Sequence, residues 1–133
     1  MDAPLVLDTS AFLRAAERHA EASTWIQRIE ARETETYAPD LIYAEVANAL
    51  AIQTRKGFLS LEAAVVNLDV LRRLTIRNIS LREVAVPALR LAEKTGLTAY
   101  DACYVAVADR AEAVLVTADR RLAQVTERSV LIT

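Results

Sequence analysis

Residues 96–123 read GLTAYDACYVAVADRAEAVLVTADRRLA, and this stretch decides the fold class. Residues 98–110 are almost wholly apolar, which predicts a buried helix. Residues 114–117, VLVT, form a short β-branched run of the kind expected in a buried parallel strand. A buried helix followed at once by such a strand is typical of α/β folds with a mainly parallel sheet.

The rest of the chain continues this alternation of strands and helices. Strands are predicted at residues 4–8, 36–38, 75–79, 114–117 and, as an edge strand, 130–132. Helices are predicted at residues 10–31 (one or two helices), 40–56, 60–74, 81–94, 98–110 and from 119 onward. Asp40 and Ser60 are the expected N-caps, and Gly57 and Gly96 the expected stops. Pro87 should kink its helix or mark the point where the helix starts.

Length and composition indicate one globular domain spanning residues 1–133. The chain is 53% hydrophobic and 26% charged, with only 2 Gly and 3 Pro. No apolar run approaches the ~20 residues of a membrane span, and the opening MDAPLVLDTS lacks the basic region of a signal peptide. We therefore expect a cytoplasmic protein without a membrane partner.

Single copies of two residue types exclude several kinds of site. Cys103 is the only cysteine, so an intramolecular disulfide and a cysteine-built zinc site are excluded, and we expect it to be buried. His19 is the only histidine and is expected to be an exposed helical residue. The formal net charge is −2, without the basic excess usual in nucleic-acid binders. The basic clusters at 55–56, 72–77 and 120–121 are interpreted as solvated faces.

Two acids follow predicted strands directly. Asp8 ends the first strand, and Asp119 lies two residues beyond VLVT. In open α/β sheets, ligands bind in the crevice outside the carboxyl ends of the strands. These two carboxylates are therefore the first candidates for a functional site.

Two further acids lie on helices, each with a structural alternative. Glu45 falls four residues after Leu41 and four before Ala49, so it leans toward the apolar face and should have a partner or a metal. Alternatively, Glu45 lies at the edge of that face and reaches water. Asp101 lies three residues after Thr98, as in a variant of the capping box, and could also reach a central site.

Four carboxylates in one crevice would repel one another, by about 4 kcal/mol per close pair at intermediate dielectric. A hard divalent cation removes this repulsion, and all-oxygen ligation favours Mg²⁺ or Mn²⁺ over zinc. Such ions serve phosphoryl transfer by activating water and neutralising charge. A glycine-rich phosphate loop and a Walker-type lysine are both missing from the sequence, so the pattern favours phosphodiester hydrolysis over a nucleotide-binding NTPase.

Four segments resemble the motifs of the PIN-domain nucleases, and within them the VapC-type toxins of VapBC toxin–antitoxin pairs. They are LVLDTSAFL from residue 5, AEVANAL from 44, GLTAYDACYVAVA from 96 and LVTADRRLA from 115. Their order and spacing agree along essentially the whole chain. The resemblance implies a three-layer α/β sandwich around a short parallel sheet, with an acidic pocket for Mg²⁺ or Mn²⁺. Its four catalytic positions fall on Asp8, Glu45, Asp101 and Asp119.

The resemblance also places supporting residues around these acids. Thr9 follows the first acid, and Thr117 stands in the T-x-D pattern, where hydroxyls would position a carboxylate or a water. Asn48, one turn after Glu45, matches a polar position of the family, although it could also be an exposed helix residue. Among the acids, we expect Asp8 and Asp101 to ligate the metal directly because their backbones are rigid, with Asp119 completing the shell.

The resemblance further implies an endoribonuclease that acts on RNA, a homodimer, and inhibition by a VapB-type antitoxin whose C-terminal segment covers the active-site groove. A receiver domain of the response-regulator type would need a lysine after a late strand, where this chain has Ala118, Asp119 and Arg120. A catalytically silent PIN scaffold would lack one of the acids, and all four are present. An RNA-processing PIN nuclease without an antitoxin stays open.

Overall fold

Five short strands form one parallel sheet in the computed structural model, which describes residues 3–133. The strands are β1 (Leu5–Leu7), β2 (Thr36–Pro39), β3 (Arg77–Ile79), β4 (Val114–Thr117) and β5 (Ser129–Leu131). The helices are α1 (Thr9–Ala16), α2 (Ala20–Glu30), α3 (Leu41–Arg55), α4 (Leu61–Arg73), α5 (Leu81–Thr95), α6 (Ala99–Ala111) and α7 (Arg120–Val125). The predicted α/β class is confirmed, and the described sheet is parallel throughout.

The strand order is β3-β2-β1-β4-β5, so β1 lies at the centre of the sheet. Its register pairs Leu5 with Val114 and Leu7 with Val116 across β4. The backbone N–H of Asp8 continues this ladder by donating to the carbonyl of Val116 at 3.1 Å. The carboxyl ends of β1 and β4 therefore lie side by side, although more than one hundred residues separate them in sequence.

Helix α6 lies at the centre of the core, as its apolar sequence predicts. It contacts β1, β2 and β4 on one side and packs along α5 on the other. Every residue from 102 to 108 is buried, including Cys103 as expected. A helix buried around its circumference presents no face to water, which is why the amphipathic periodicity of a surface helix is missing here.

Most predicted helix ends are confirmed. The hydroxyl of Ser60 accepts from the N–H of Ala63 at the start of α4. Gly57 and Gly96 both adopt φ +78°, the left-handed conformation that favours glycine after a helix. The N–H of Asp101 donates to Thr98 Oγ1 at 3.1 Å, so the predicted cap of α6 forms.

Three local predictions are corrected. Asp40 precedes α3 but makes no side-chain capping bond, because its backbone is already helical at φ −53° and ψ −24°. Pro87 does not mark the start of its helix, since α5 begins at Leu81 and continues through the proline. His19 is not within a helix but caps α2, where Nδ1 accepts from Ala22 N–H at 3.4 Å. Within residues 3–133, no helix is both long and apolar enough to cross a membrane.

Candidate active site

Asp8 lies at the carboxyl end of β1 and is almost sealed from water. Its side chain is 4% exposed, and it caps α1. One carboxylate oxygen, Oδ2, accepts hydrogen bonds from the hydroxyl of Thr117 at 2.8 Å, from the N–H of Ser10 at 3.3 Å and from the hydroxyl of Ser10. The other oxygen, Oδ1, accepts none from any residue between 3 and 133. Oδ2 is therefore held by the protein, while the lone pairs of Oδ1 are not used by any of the described residues.

The ends of β1 and β4 are joined by the same hydroxyls. Ser10 Oγ accepts from the N–H of Ala118 at 2.9 Å, and Thr117 Oγ1 accepts from the N–H of Asp119 at 3.0 Å. Asp119 in turn caps α7, accepting from the N–H groups of Arg121 and Leu122 at 2.9 and 3.3 Å. The hydroxyl groups thus fix the position of Asp8 relative to Asp119.

Glu45 is held by a second group of hydroxyls. Its Oε1 accepts from the hydroxyl of Tyr104 at 2.6 Å and from that of Thr9 at 3.0 Å, and the two hydroxyl oxygens are 2.6 Å apart. Tyr104 is fully buried, and burial followed by its hydrogen bond to Glu45 raises its pKa far above the ordinary value. Tyr104 therefore stays protonated and acts as a donor. The sequence left open whether Glu45 has a partner or reaches water. In the structure it is half-buried and accepts hydrogen bonds from these two hydroxyls.

The charges of the four acids act on one another, with Asp101 at the centre. Burial is the largest cause of the raised pKa of Asp101, followed by the negative charges of Asp119 and Glu45. Burial also raises the pKa of Asp8 to about 6, to which the charge of Asp101 adds, against the lowering effect of hydrogen bonds from Ser10 and Thr117. Carboxylates from four separate elements therefore share one electrostatic environment.

The remaining candidates are placed as follows. Thr9 and Thr117 each donate a hydrogen bond to one of the acids. Asn48 is exposed on α3, and its side chain hydrogen-bonds to none of the described residues. A cavity of about 360 Å³ lies between α1, α2 and α4, but none of the four acids lines it. Charge and hydrogen bonding, not cavity size, mark the candidate site.

Sequence reasoning missed two residues of this arrangement. Ser10 holds Asp8 and reaches the backbone of Ala118, and Tyr104 holds Glu45. Both carried a weak signal in the sequence. Ser10 closes the tripeptide that begins at Asp8, and Tyr104 lies one helical turn after Asp101 with the only hydroxyl in an otherwise apolar run.

No group of three His, Cys, Asp or Glu side chains within residues 3–133 is already drawn together as a metal site. The electrostatic effects among the four acids do not require such a group, because charges act over longer distances than the roughly 2.0–2.6 Å between Mg²⁺ or Ca²⁺ and its ligands. The described residues do show that the charges of the four acids act on one another.

Comparison with known proteins agrees with the fold and with the motifs. Residues 5–128 match the family model described as the PIN domain. The chain is 37% identical over 122 residues to Ribonuclease VapC3 of Pyrobaculum aerophilum, covering 90% of this chain and 92% of that protein.

Two solved structures are also similar. The crystal structure of PAE2754 from Pyrobaculum aerophilum matches with a TM-score of 0.74 and 33% identity, over 96% of this chain and 82% of that one. VapBC2 from Rickettsia felis, solved with a DNA fragment from its promoter, matches with a TM-score of 0.68 over 97% of both chains. At 15% identity, that second likeness shows the fold alone. By the family model and the curated relative, this chain belongs to the PIN-domain family and is a homologue of VapC ribonucleases.

Proposed function

We propose that this chain is an endoribonuclease that depends on Mg²⁺ or Mn²⁺ and acts as the toxin of a toxin–antitoxin pair. The observation that carries the proposal is electrostatic: the charge of Asp101 acts on Asp8, and the charges of Asp119 and Glu45 act on Asp101. Asp8 and Asp119 follow two strands, β1 and β4, that pair side by side. The fold gains nothing from the negative charges that raise the pKa of Asp8 and of Asp101, because their repulsion opposes folding. Phosphodiester chemistry with a divalent cation does use them.

The donor set fits a hard cation. Every candidate ligand is a carboxylate oxygen, and Asp8 Oδ1 has no hydrogen-bond donor among the described residues. A cation would also stabilise the charged forms of Asp8 and Asp101, both of which the protein alone disfavours. Asp8 and Asp101 would hold the ion, with Asp119 completing its shell. When bound, such an ion activates water and neutralises charge on the phosphate.

The chain's own residues supply positioning and proton handling. Thr117 and Ser10 hold Asp8 through one oxygen and so set the direction of the other. Tyr104 and Thr9 hold Glu45 through Oε1, which leaves Oε2 to orient the attacking water and take its proton. Water attacks phosphorus as Glu45 takes its proton, the bond from phosphorus to the leaving oxygen breaks, and that oxygen takes a proton from the solvent.

RNA as the substrate and the role as a toxin are supported by relatives. The relative from Pyrobaculum aerophilum is named Ribonuclease VapC3, and the motifs of this chain resemble those of VapC-type toxins. We extend this to a cytoplasmic, single-domain toxin over residues 1–133 that forms a homodimer and is inhibited by a VapB-type antitoxin. A short antitoxin-like reading frame beside the gene would support this setting. An isolated gene would favour an RNA-processing nuclease with the same chemistry.

The decisive experiment is cleavage of single-stranded RNA by the purified chain with Mg²⁺, with Mn²⁺ and in excess EDTA. We expect cleavage with either ion and none in the chelator. Asp101→Asn should abolish it, whereas Asp109→Asn, two turns along the same helix and exposed, should not. Undiminished cleavage in EDTA would refute the dependence on a metal ion. Equal activity of wild type and Asp101→Asn would refute the proposed location of the active site.

A further inference from the structure

The guanidinium of Arg121 lies between the start of α7 and the loop that leads into α6. Arg121 is in the first turn of α7, two residues after Asp119, and its Nη2 donates to the carbonyl of Gly96 at 3.3 Å. A Cβ at Gly96 would stand 4.0 Å from the same nitrogen, so the side chain lies against the backbone there. Gly96 precedes the cap of α6, and Asp101 is in the first turn of that helix. Arg121 is thereby brought to the edge of the acidic site.

The charge of Arg121 reaches the acids without being neutralised by any of them. The guanidinium lowers the pKa of Asp101, against the larger raising effects of burial, Asp119 and Glu45. Within residues 3–133, however, Arg121 forms no ion pair, and its one side-chain hydrogen bond is to a backbone carbonyl.

Other arginines of the chain behave differently. Arg72 and Arg73 both pair with Asp69 at 2.8 Å, and Arg110 pairs with Glu83 at 2.9 Å. These side chains have their charge satisfied on the surface, as the interpretation of solvated faces predicted for residues 72–77. Arg121 belongs to a cluster that received the same interpretation, and its position argues against that interpretation.

RNA must bring negatively charged phosphates to an edge that already carries four acids. Bound cations offset part of this repulsion, but the phosphates flanking the reacting one need a positive charge of their own. A guanidinium suits this role, because it presents donors in a planar fork that matches phosphate oxygens. One weak bond to a carbonyl leaves most of the five N–H donors of Arg121 available.

We propose that Arg121 is the phosphate-binding residue of the site, holding a backbone phosphate of single-stranded RNA next to the one that is cut. This rests on the proposed ribonuclease function and adds to it a residue that positions the substrate. Arg120 is the matched control: it is exposed, carries the same charge, lies one residue away on the same helix, and forms no side-chain hydrogen bond or ion pair with residues 3–133.

The test compares wild type, Arg121→Gln, Arg121→Lys and Arg120→Gln. The probe is a fluorescein-labelled single-stranded oligoribonucleotide containing all four bases. Steady-state cleavage with Mg²⁺ should show KM raised about tenfold or more for Arg121→Gln, as for loss of a hydrogen bond to a charged group. For the same variant, the slope of log K for RNA binding against log salt concentration should be shallower than in wild type by about 0.7. This is the value for one phosphate contact on a single strand. Arg120→Gln should change neither quantity, and Arg121→Lys should recover the salt slope but only part of the KM.

A second probe separates phosphate contact from a structural role. The second probe is an oligonucleotide with one neutral methylphosphonate linkage beside the cleaved bond. On this probe the KM of Arg121→Gln should differ little from that of wild type, because the charge that Arg121 would bind is missing. An equal loss on charged and neutral probes, or equal KM for Arg121→Gln and Arg120→Gln, would overturn the proposal while leaving the ribonuclease intact. Failure of the wild type to cleave RNA at all would instead overturn the proposed function.

Discussion

Removing the charge of Asp8 should stabilise the metal-free protein. Asp8 is 4% exposed, and burial raises its pKa from 3.8 to about 6. An acid whose pKa is higher in the folded state contributes stability at low pH, and that contribution is lost as pH rises through the folded value. At pH 7 the wild type is folded with a buried charge that Asp8→Asn does not carry.

The magnitude follows from the two pKa values. The difference between 3.8 and about 6 corresponds to about 3 kcal/mol, at roughly 1.4 kcal/mol per pKa unit. Asn can still accept at Oδ1 the hydrogen bonds that Ser10 and Thr117 now donate to the carboxylate, and its amide nitrogen takes the place of the oxygen without a described donor. Because that nitrogen must find water, we expect Asp8→Asn to raise the free energy of unfolding by about 1–3 kcal/mol at pH 7.

Urea unfolding in EDTA, repeated from pH 3 to pH 8, measures this directly. The advantage of Asp8→Asn should be absent below about pH 4. It should grow between about pH 4 and pH 6, and be complete above about pH 6. Asp40→Asn is the control, since Asp40 is also a helix N-cap position but is exposed and makes no side-chain capping bond. That variant should stay within about 0.5 kcal/mol of wild type throughout.

Mg²⁺ at about a thousand times its dissociation constant should reverse the order, because a ligand at that concentration stabilises the folded state by about 4.1 kcal/mol. Wild type would gain this, and Asp8→Asn would not. Two results would contradict a destabilising effect of the buried charge of Asp8. One is an Asp8→Asn variant less stable than wild type at pH 7 in EDTA, and the other is a difference between the two proteins that does not change with pH. Asp8 would then stabilise the folded protein.

Three further predictions concern the groups around the acids. Tyr104→Phe should lower the free energy of unfolding by about 1.5–3 kcal/mol, measured in urea, because Glu45 loses a hydrogen bond to its charge. Thr117→Val should raise the pKa of Asp8 above about 6, measured by NMR titration of the carboxyl carbon, because the hydroxyl that stabilises the charged form is gone. Alanine variants of all four acids should lose cleavage by roughly two or more orders of magnitude. Among them, Mg²⁺ binding measured by calorimetric titration should weaken most for Asp8→Ala and Asp101→Ala.

Each of these has a matched comparison. Tyr37→Phe removes an exposed hydroxyl bond to Glu35 and should cost less than Tyr104→Phe, so equal losses would count against a special role for the buried bond. Thr126→Val changes a hydroxyl on the far side of α7 and should leave the titration of Asp8 unchanged. Cleavage at the wild-type rate by Asp119→Ala or Glu45→Ala would contradict the four-acid site and favour the silent scaffold.

How far the sequence could predict the site depends on whether a contact is local. The cap of Thr98 on Asp101 spans three residues and was predictable, as were the stops at Gly57 and Gly96. The missing cap of Asp40 was not, because it depends on the backbone conformation there, which is already helical while the N–H of Asp40 donates to the carbonyl of Ile79 on the neighbouring strand β3. The capping role of His19 was not predictable either. Its Nδ1 caps α2, and its Nε2 lies 3.1 Å from the carbonyl oxygen of Thr133 at the other end of the chain.

The sequence by itself determined the alternation of strands and helices, the four acids and their likeness to a family. Those features come from side-chain periodicity and short motifs, which act over a few residues. Only the tertiary structure decided that Thr117 holds Asp8 and that Tyr104 holds Glu45, since these partners are 109 and 59 residues apart. The pairing of β1 with β4 brings the first two together, and the burial of α6 against the sheet brings Tyr104 inward. Strand order is a property of the whole chain, because each strand can pair with several others until the core selects one arrangement.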